Sequence, residues 1–208
     1  MGQVCAGGSE GTRCSFEHPP KHVSALLCAE ARRNNLFSLC PHEIHVIKRS
    51  WETAKANDVG VRIVVSILIK RPHFSSYFNL SPGTAEELRQ APAVHSHAQR
   101  MIAFLDEIIR SINILDEVSI RRLIQNIGMA HFHKGVNFIA DNWLLFKRVL
   151  LEELCRPIEN PPQTPRQKRK RQQEENAWGK ILRFVISEMK RGFLEQALKN
   201  RERGDAPA

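Results

Sequence analysis

Residues 94–112 read VHSHAQRMIAFLDEIIRSI, and the spacing of their apolar side chains decides the fold. Val94, His97, Met101, Phe104, Leu105, Ile108 and Ile112 recur at three- and four-residue steps, so they line one face of a long helix. The alternation expected of a half-buried strand is missing. Downstream, Ile124, Ile127 and His131 share the inner face of a second helix that ends near His133, and a third stretch from about Asn137 to Leu154 repeats Trp143, Phe146, Leu150 and Leu154. Upstream, Pro41 opens a helix carrying Ile44, Ile47, Trp51 and Ala54, and another runs from about Asp58 to Lys70 before Pro72 stops it. Ser81-Pro82-Gly83-Thr84 is a polar turn, and Trp178, Ile181, Leu182, Val185, Ile186, Met189 and Phe193 form a last amphipathic helix. No stretch reads as a strand pair and no repeat is evident, so the expected fold class is all-α.

The remaining segments differ in composition. Residues 1–40, rich in Gly, Ser, Cys and Pro, are expected to be a flexible arm with at most a short helix around Val23 to Arg33. Residues 155–175, CRPIENPPQTPRQKRKRQQEE, combine prolines with the basic block Arg166–Arg171 and are expected to form a mobile loop. Residues 200–208 read as a disordered tail, which leaves one folded domain over 41–199. The net charge of +9 draws the chain toward acidic surfaces, either nucleic acid or an anionic membrane face. Cys5, Cys14, Cys28, Cys40 and Cys155 are scattered without a C-x-x-C pair, which fits a reducing, intracellular compartment. No apolar run reaches the length of a spanning helix, since Val61 to Ile69 is short and broken by Arg62 and Ser66. No secretory signal is evident.

Two histidines stand on apolar helix faces, where an imidazole needs a partner for each ring nitrogen. His131 follows Ile127 by four positions and Ile124 by seven; His97 precedes Met101 by one turn and Leu105 by two. Each is open to an ordinary reading as a satisfied interior or boundary histidine, and the pair is equally open to flanking one metal. The spacings H-S-H at 95–97 and H-F-H at 131–133 would gather rings for zinc on a strand. On a helix they diverge by about 200°, so His95 and His133 are expected on the surface.

The order of these residues resembles the globins, in particular invertebrate, nematode and neuroglobin-like members, over about 41–199. R-P-H-F-S-S-Y-F at 71–78 resembles the segment carrying the family's proline, here Pro72, and its porphyrin-stacking phenylalanine, here Phe78. Gly60 and Val64 fall where the family has a helix-crossing glycine and a distal-pocket apolar residue, and Trp51 matches the first-helix tryptophan. H-A-Q-R-M-I-A-F-L-D from His97 resembles the distal helix, N-I-G-M-A-H at 126–131 the segment ending in the proximal histidine, and A-W-G-K-I-L-R-F-V with K-R-G-F the last helix. The resemblance implies a haem b with His131 as proximal and His97 as distal ligand. Phe78 and Phe74 would touch the ring, Val64, Met101, Leu105, Ile127 and Val136 would keep it dry, and Arg100 would reach a propionate. It implies binding of O2, CO or NO, for oxygen transport or, if His97 takes the sixth position, for redox sensing or electron transfer with a partner protein. Haem enzymology would need a reductant, and no flavin or reductase domain is evident. The alternative is a haem-free helical adaptor drawn to membranes by its ends.

Those ends carry their own signals. Met1-Gly2-Gln3-Val4-Cys5-Ala6 has the arrangement for myristoylation at Gly2 with palmitoylation at Cys5, although Ala6 departs from the usual Ser or Thr. One acyl chain binds marginally, and Cys5 or the Arg166–Arg171 block would be the second signal. The expected location is the cytoplasmic face of a membrane if acylated and the cytoplasm otherwise. The block also reads as a nucleic-acid or nuclear-import patch, the less expected of its uses, or as a plainly solvated run.

Overall fold

Prolines and reciprocal caps set where the helices begin. The computed structural model describes residues 35–113, 116–136, 138–157 and 163–202. Helix α1 spans Pro41–Lys55, α2 Val59–Lys70, α3 Ala85–Gln90, α4 Pro92–Arg110, α5 Glu117–His133, α6 Ala140–Leu154 and α7 Pro165–Glu202. Pro41, Pro92 and Pro165 each occupy a first helical position, where the missing N–H costs nothing. Glu43 reaches back to the Cys40 N–H at 2.8 Å, Thr84 and Glu87 cap α3 reciprocally, and the Asp116 carboxylate accepts from Ser119 N–H at 3.0 Å. After α2 a 3₁₀ segment, Pro72–Phe78, turns the chain and ends at Asn79 in the left-handed region. No strand occurs among the described residues.

The helices pack in pairs. α5 lies along α7, α2 crosses α4, and α1 and α6 complete the shell against α7 and α2. The α2–α4 and α5–α7 crossings are built on glycines. A Cβ on Gly60 would meet Ile102 Cγ1 at 2.9 Å and the Ala98 carbonyl oxygen at 3.2 Å. At the α5–α7 crossing the fit is tighter: a Cβ on Gly128 would fall 2.0 Å from the Met189 carbonyl oxygen, and one on Gly192 2.1 Å from that of Gln125. The main core gathers Ile47, Trp51, Leu105, Ile124, Leu150, Trp178 and Ile181, and a second cluster holds Val64, Val65, Leu68, Phe74, Leu88, Val94 and Ala98. Trp51 and Trp178 meet edge to face in the main core. Their N–H groups donate to Asp106 at 2.7 Å and Ser50 at 2.9 Å, so both buried indoles are satisfied.

Two expectations are corrected. Residues 165–175 are not a loop: they are the first turns of α7, which also runs through residues 200–202. Thr164 and Gln167 cap each other, the Arg171 guanidinium pairs with Glu175 at 2.7 Å four residues on, and Lys, Arg, Gln and Glu are good helix formers. A composition unable to bury a core still forms helix when it extends one that is already packed. The arm also does not stay free up to residue 40, because Phe37 and Leu39 are buried and Phe37 packs edge-on to Phe184 at 5.2 Å. Gly2, Cys5 and the segment 203–208 lie outside the described residues.

Candidate functional site

α4 packs on α2 and α5 packs on α7, while α4 and α5 make no extended contact with each other. His97 from α4 and His131 from α5 face one another across the gap between these helices. Their ring centres are 6.4 Å apart and their planes stand at 88°. Two bonds of about 2 Å from a first-row metal to imidazole nitrogens, each continued by about 1 Å to a ring centre, span about 6 Å. Rotation about each such bond leaves the angle between the rings free. The pair is therefore spaced for a single metal ion between them.

The turn that aims His131 is built by the end of α5. Gly135, at φ 67°, donates its N–H to the Phe132 carbonyl, and Val136 donates to the carbonyl of His131 at 3.1 Å. That pairing is a Schellman motif, which needs a residue that enters the left-handed region without strain. One turn earlier, the Ile127 carbonyl lies 2.7 Å from His131 Nδ1. A carbonyl only accepts, so Nδ1 carries the proton and the Nε2 lone pair is left for a metal. His97 forms no hydrogen bond with any described residue. Burial pushes its pKa down to about 4, helped by the nearby charges of His131 and Arg100. Burial also lowers His131, against the opposing pull of the Ile127 carbonyl. Both rings are then neutral at physiological pH, the state in which imidazole binds metals.

Aromatic edges close the space around the pair. Phe78 meets His97 at 5.3 Å and 83°, and Phe138 meets His131 at 5.3 Å and 61°. Phe138 stacks on Trp143 at 4.2 Å, which fixes it in turn. The Tyr77 hydroxyl donates to the Gly135 carbonyl at 3.1 Å and ties the 3₁₀ segment to the end of α5. A planar apolar macrocycle carrying one metal fits these residues: neutral nitrogens to either side, aromatic edges, and two helices that do not pack on each other.

The structure gathers some expected site residues and disperses others. His97, His131, Phe78 and the Ile127 carbonyl come together. Met101 is half-buried and touches both apolar clusters, and Val136 sits in the turn behind His131. Leu105 lies in the main core, while Val64 and Phe74 lie in the second cluster, where Phe74 packs against His73 and Tyr77. Arg100 is exposed and donates to Ser96 Oγ at 2.7 Å. His95 and His133 are exposed as expected, and no cluster of three or more His, Cys, Asp or Glu suited to a metal occurs among the described residues. Sequence reading missed Phe138, because an aromatic beside a helix start looks like any core residue until the His131 ring is placed against it. It also missed Gly135, whose only signal was its position just past the last apolar turn.

Comparison with known proteins places the chain. A protein-family model described as Globin matches residues 61–189. Globin-related protein glb-13 of Caenorhabditis elegans is 22% identical over 189 residues, covering 86% of this chain and 63% of that protein. Cytoglobin-1 of Oryzias latipes is 29% identical over 90 residues, covering 41% of this chain and 50% of that protein. The chain thus spans less than two thirds of the length of either relative. Among solved structures, the globin-like protein Glb-12 from C. elegans superposes with a TM-score of 0.60 at 16% identity, over 76% of this chain and 91% of that one.

Proposed function

Because this chain belongs to the globin family, we propose that it holds one haem b between α4 and α5, with His131 as proximal ligand and His97 opposite. The observation that carries this reading is the 6.4 Å between the two ring centres, a separation one metal would fill. Haem supplies an iron that binds O2, CO or NO and exchanges electrons. The chain supplies the surroundings. Ile127 fixes the His131 tautomer, Phe78 and Phe138 crowd the two imidazoles, and Met101, Leu105 and the second cluster with Val64 and Phe74 keep water from the interior.

We take the role to be gas or redox sensing, or electron transfer to a partner protein, in preference to oxygen transport. A span of 6.4 Å holds two imidazole bonds and nothing more, so a gas enters only when the His97 ring withdraws. Reconstitution of the full chain with haemin tests the reading. The reduced protein without added ligand is expected to show sharp low-spin visible bands. His131→Ala should weaken or remove the Soret band, and His97→Leu should keep it while turning the ferrous bands high-spin. High-spin bands in the unsubstituted protein would favour oxygen transport, and absence of a Soret band would return the chain to the adaptor alternative.

Attachment to the cytoplasmic face of a membrane through Gly2 and Cys5 is part of the proposal, supported by the Met1–Ala6 motif. No described helix is long and apolar enough to cross a membrane. Gly2→Ala should release the protein from the membrane fraction, and an unchanged distribution refutes acyl anchoring.

A further inference from the structure

A cleft of about 900 Å³ opens between the last turns of α1, the end of α6 and the first turns of α7, and it shares no lining residue with the histidine pair. Five cations line it: Arg49 on α1, Arg62 on α2, Arg156 just past α6, and Lys170 and Arg171 on α7. Two carboxylates stand among them, and both are engaged. Glu153 accepts from Arg62 Nε at 3.0 Å and from Ser66 Oγ at 2.8 Å, with Arg156 at 3.5 Å. Glu174 is half-buried and feels the charges of Arg49, Lys170 and Arg171. Of the cations, Arg62 is consumed by Glu153 and by the Asn57 carbonyl, and Arg171 by Glu175. Arg49 and Lys170 act on Glu174 at longer range, form no ion pair within 4 Å of a described carboxylate, and face the cleft from α1 and α7.

The basic block is sorted by the helix it lies on. Gln167, Lys170, Arg171 and Glu174 are spaced three or four apart and line the cleft, whereas Arg166, Lys168 and Arg169 lie on the other faces of the helix and do not. Cations gathered around a concavity focus their field on one volume, so they draw phosphate oxygens more strongly than the same charges spread on a convex face. Asn57, Gln163 and Gln167 add neutral amide donors for hydroxyl and bridging oxygens.

We propose that this cleft binds one multiply phosphorylated polyol per chain, with Arg49 and Lys170 as the principal phosphate contacts. A soluble polyol phosphate and the headgroup of a phosphoinositide share this chemistry. A duplex nucleic acid would engage the outward residues instead, since it cannot enter the concavity.

Calorimetric titration of the full chain with inositol hexakisphosphate at roughly 0.15 M salt tests the site, since surface charges alone are well screened there. One ligand per chain is expected. Arg49→Gln with Lys170→Gln should weaken binding by about tenfold or more. Lys168→Gln with Arg169→Gln, the same charge change on the outward face, should leave it within about threefold. All four positions are on helix surfaces, and a thermal melt confirms that each variant folds. Absence of binding, several ligands per chain, or equal loss in both variants would overturn the proposal. Co-sedimentation with phosphatidylcholine vesicles containing phosphatidylinositol bisphosphate, against vesicles of equal charge made with phosphatidylserine, identifies the source. Selective capture lost in the cleft variant marks a lipid headgroup, and titration without capture marks a soluble ligand.

Discussion

His131 owes its aim to the residues that follow it. Its backbone carbonyl is tied to Val136, its ring nitrogen to Ile127, and the Schellman turn between them depends on Gly135 at φ 67°. Any L side chain there is strained by about 1–2 kcal/mol. Gly135→Ala should therefore lower unfolding stability by about that amount, read from the urea midpoint at unchanged slope. In the haemin-reconstituted protein it should also broaden the Soret band, because the proximal ring loses its fixed register. Gly135→Asn, which tolerates the left-handed region better, should lose less. Residue type and apolar face picked out both histidines in the sequence, but their pairing was only what the resemblance to globins implied. Their separation was not legible, since it depends on how two helices far apart in sequence are held.

At the scale of elements, the α5–α7 crossing positions the helix that carries His131. Gly128 and Gly192 let two backbones touch, and an added Cβ on either would collide with a carbonyl oxygen that cannot move without the whole helix. Gly128→Ala should cost about 1–3 kcal/mol or more through overpacking. Gly179→Ala is the control on the same rod: nothing lies within 4 Å of its Cβ, so removing a glycine from the helix interior should stabilise by up to about 1 kcal/mol. Parallel thermal melts of the two variants check both signs. The start of α1 was readable from Pro41, whereas 81–84 read only as a polar turn and the Thr84–Glu87 cap that opens α3 came from the structure. The first turns of α7 were not readable, because prolines and a charge run describe what cannot form a core, and a helix continuing out of one has no such need. Neither of the glycines at the crossing could be read, since a helix interior glycine declares its purpose only through its neighbour.

For the molecule as a whole, two carboxylates bind the outer helices together. Lys180 on α7 donates to both oxygens of Glu43 on α1, at 2.7 and 2.8 Å, and Asp106 on α4 accepts from Trp51 and Lys55 on α1. Burial alone would raise both carboxyl pKa values, but the donors outweigh it. Glu43 falls below its ordinary 4.5 through Lys180 and the Cys40 N–H, and Asp106 falls below its ordinary 3.8 through Trp51 and Lys55. A folded-state pKa below the unfolded one contributes stability that is complete above the unfolded value and is lost as pH falls through the folded one. The gap in urea midpoint between the parent protein and Glu43→Gln should therefore be largest above pH 4.5 and close as pH drops beneath it. A gap independent of pH would show that Glu43 acts through packing alone.

The length of α7 has a mechanical consequence. Its 38 residues run unbroken from the basic cleft, past Trp178 in the core, to the crossing at Gly192. At about 1.5 Å per residue, the arm from Trp178 to Gly192 is about 21 Å, so a tilt of one degree about the tryptophan swings the crossing by about 0.4 Å. Backbones already in contact have no slack to absorb that swing. α7 is thus a balance beam, with the basic cleft as the pan at one end and the seat of His131 at the other.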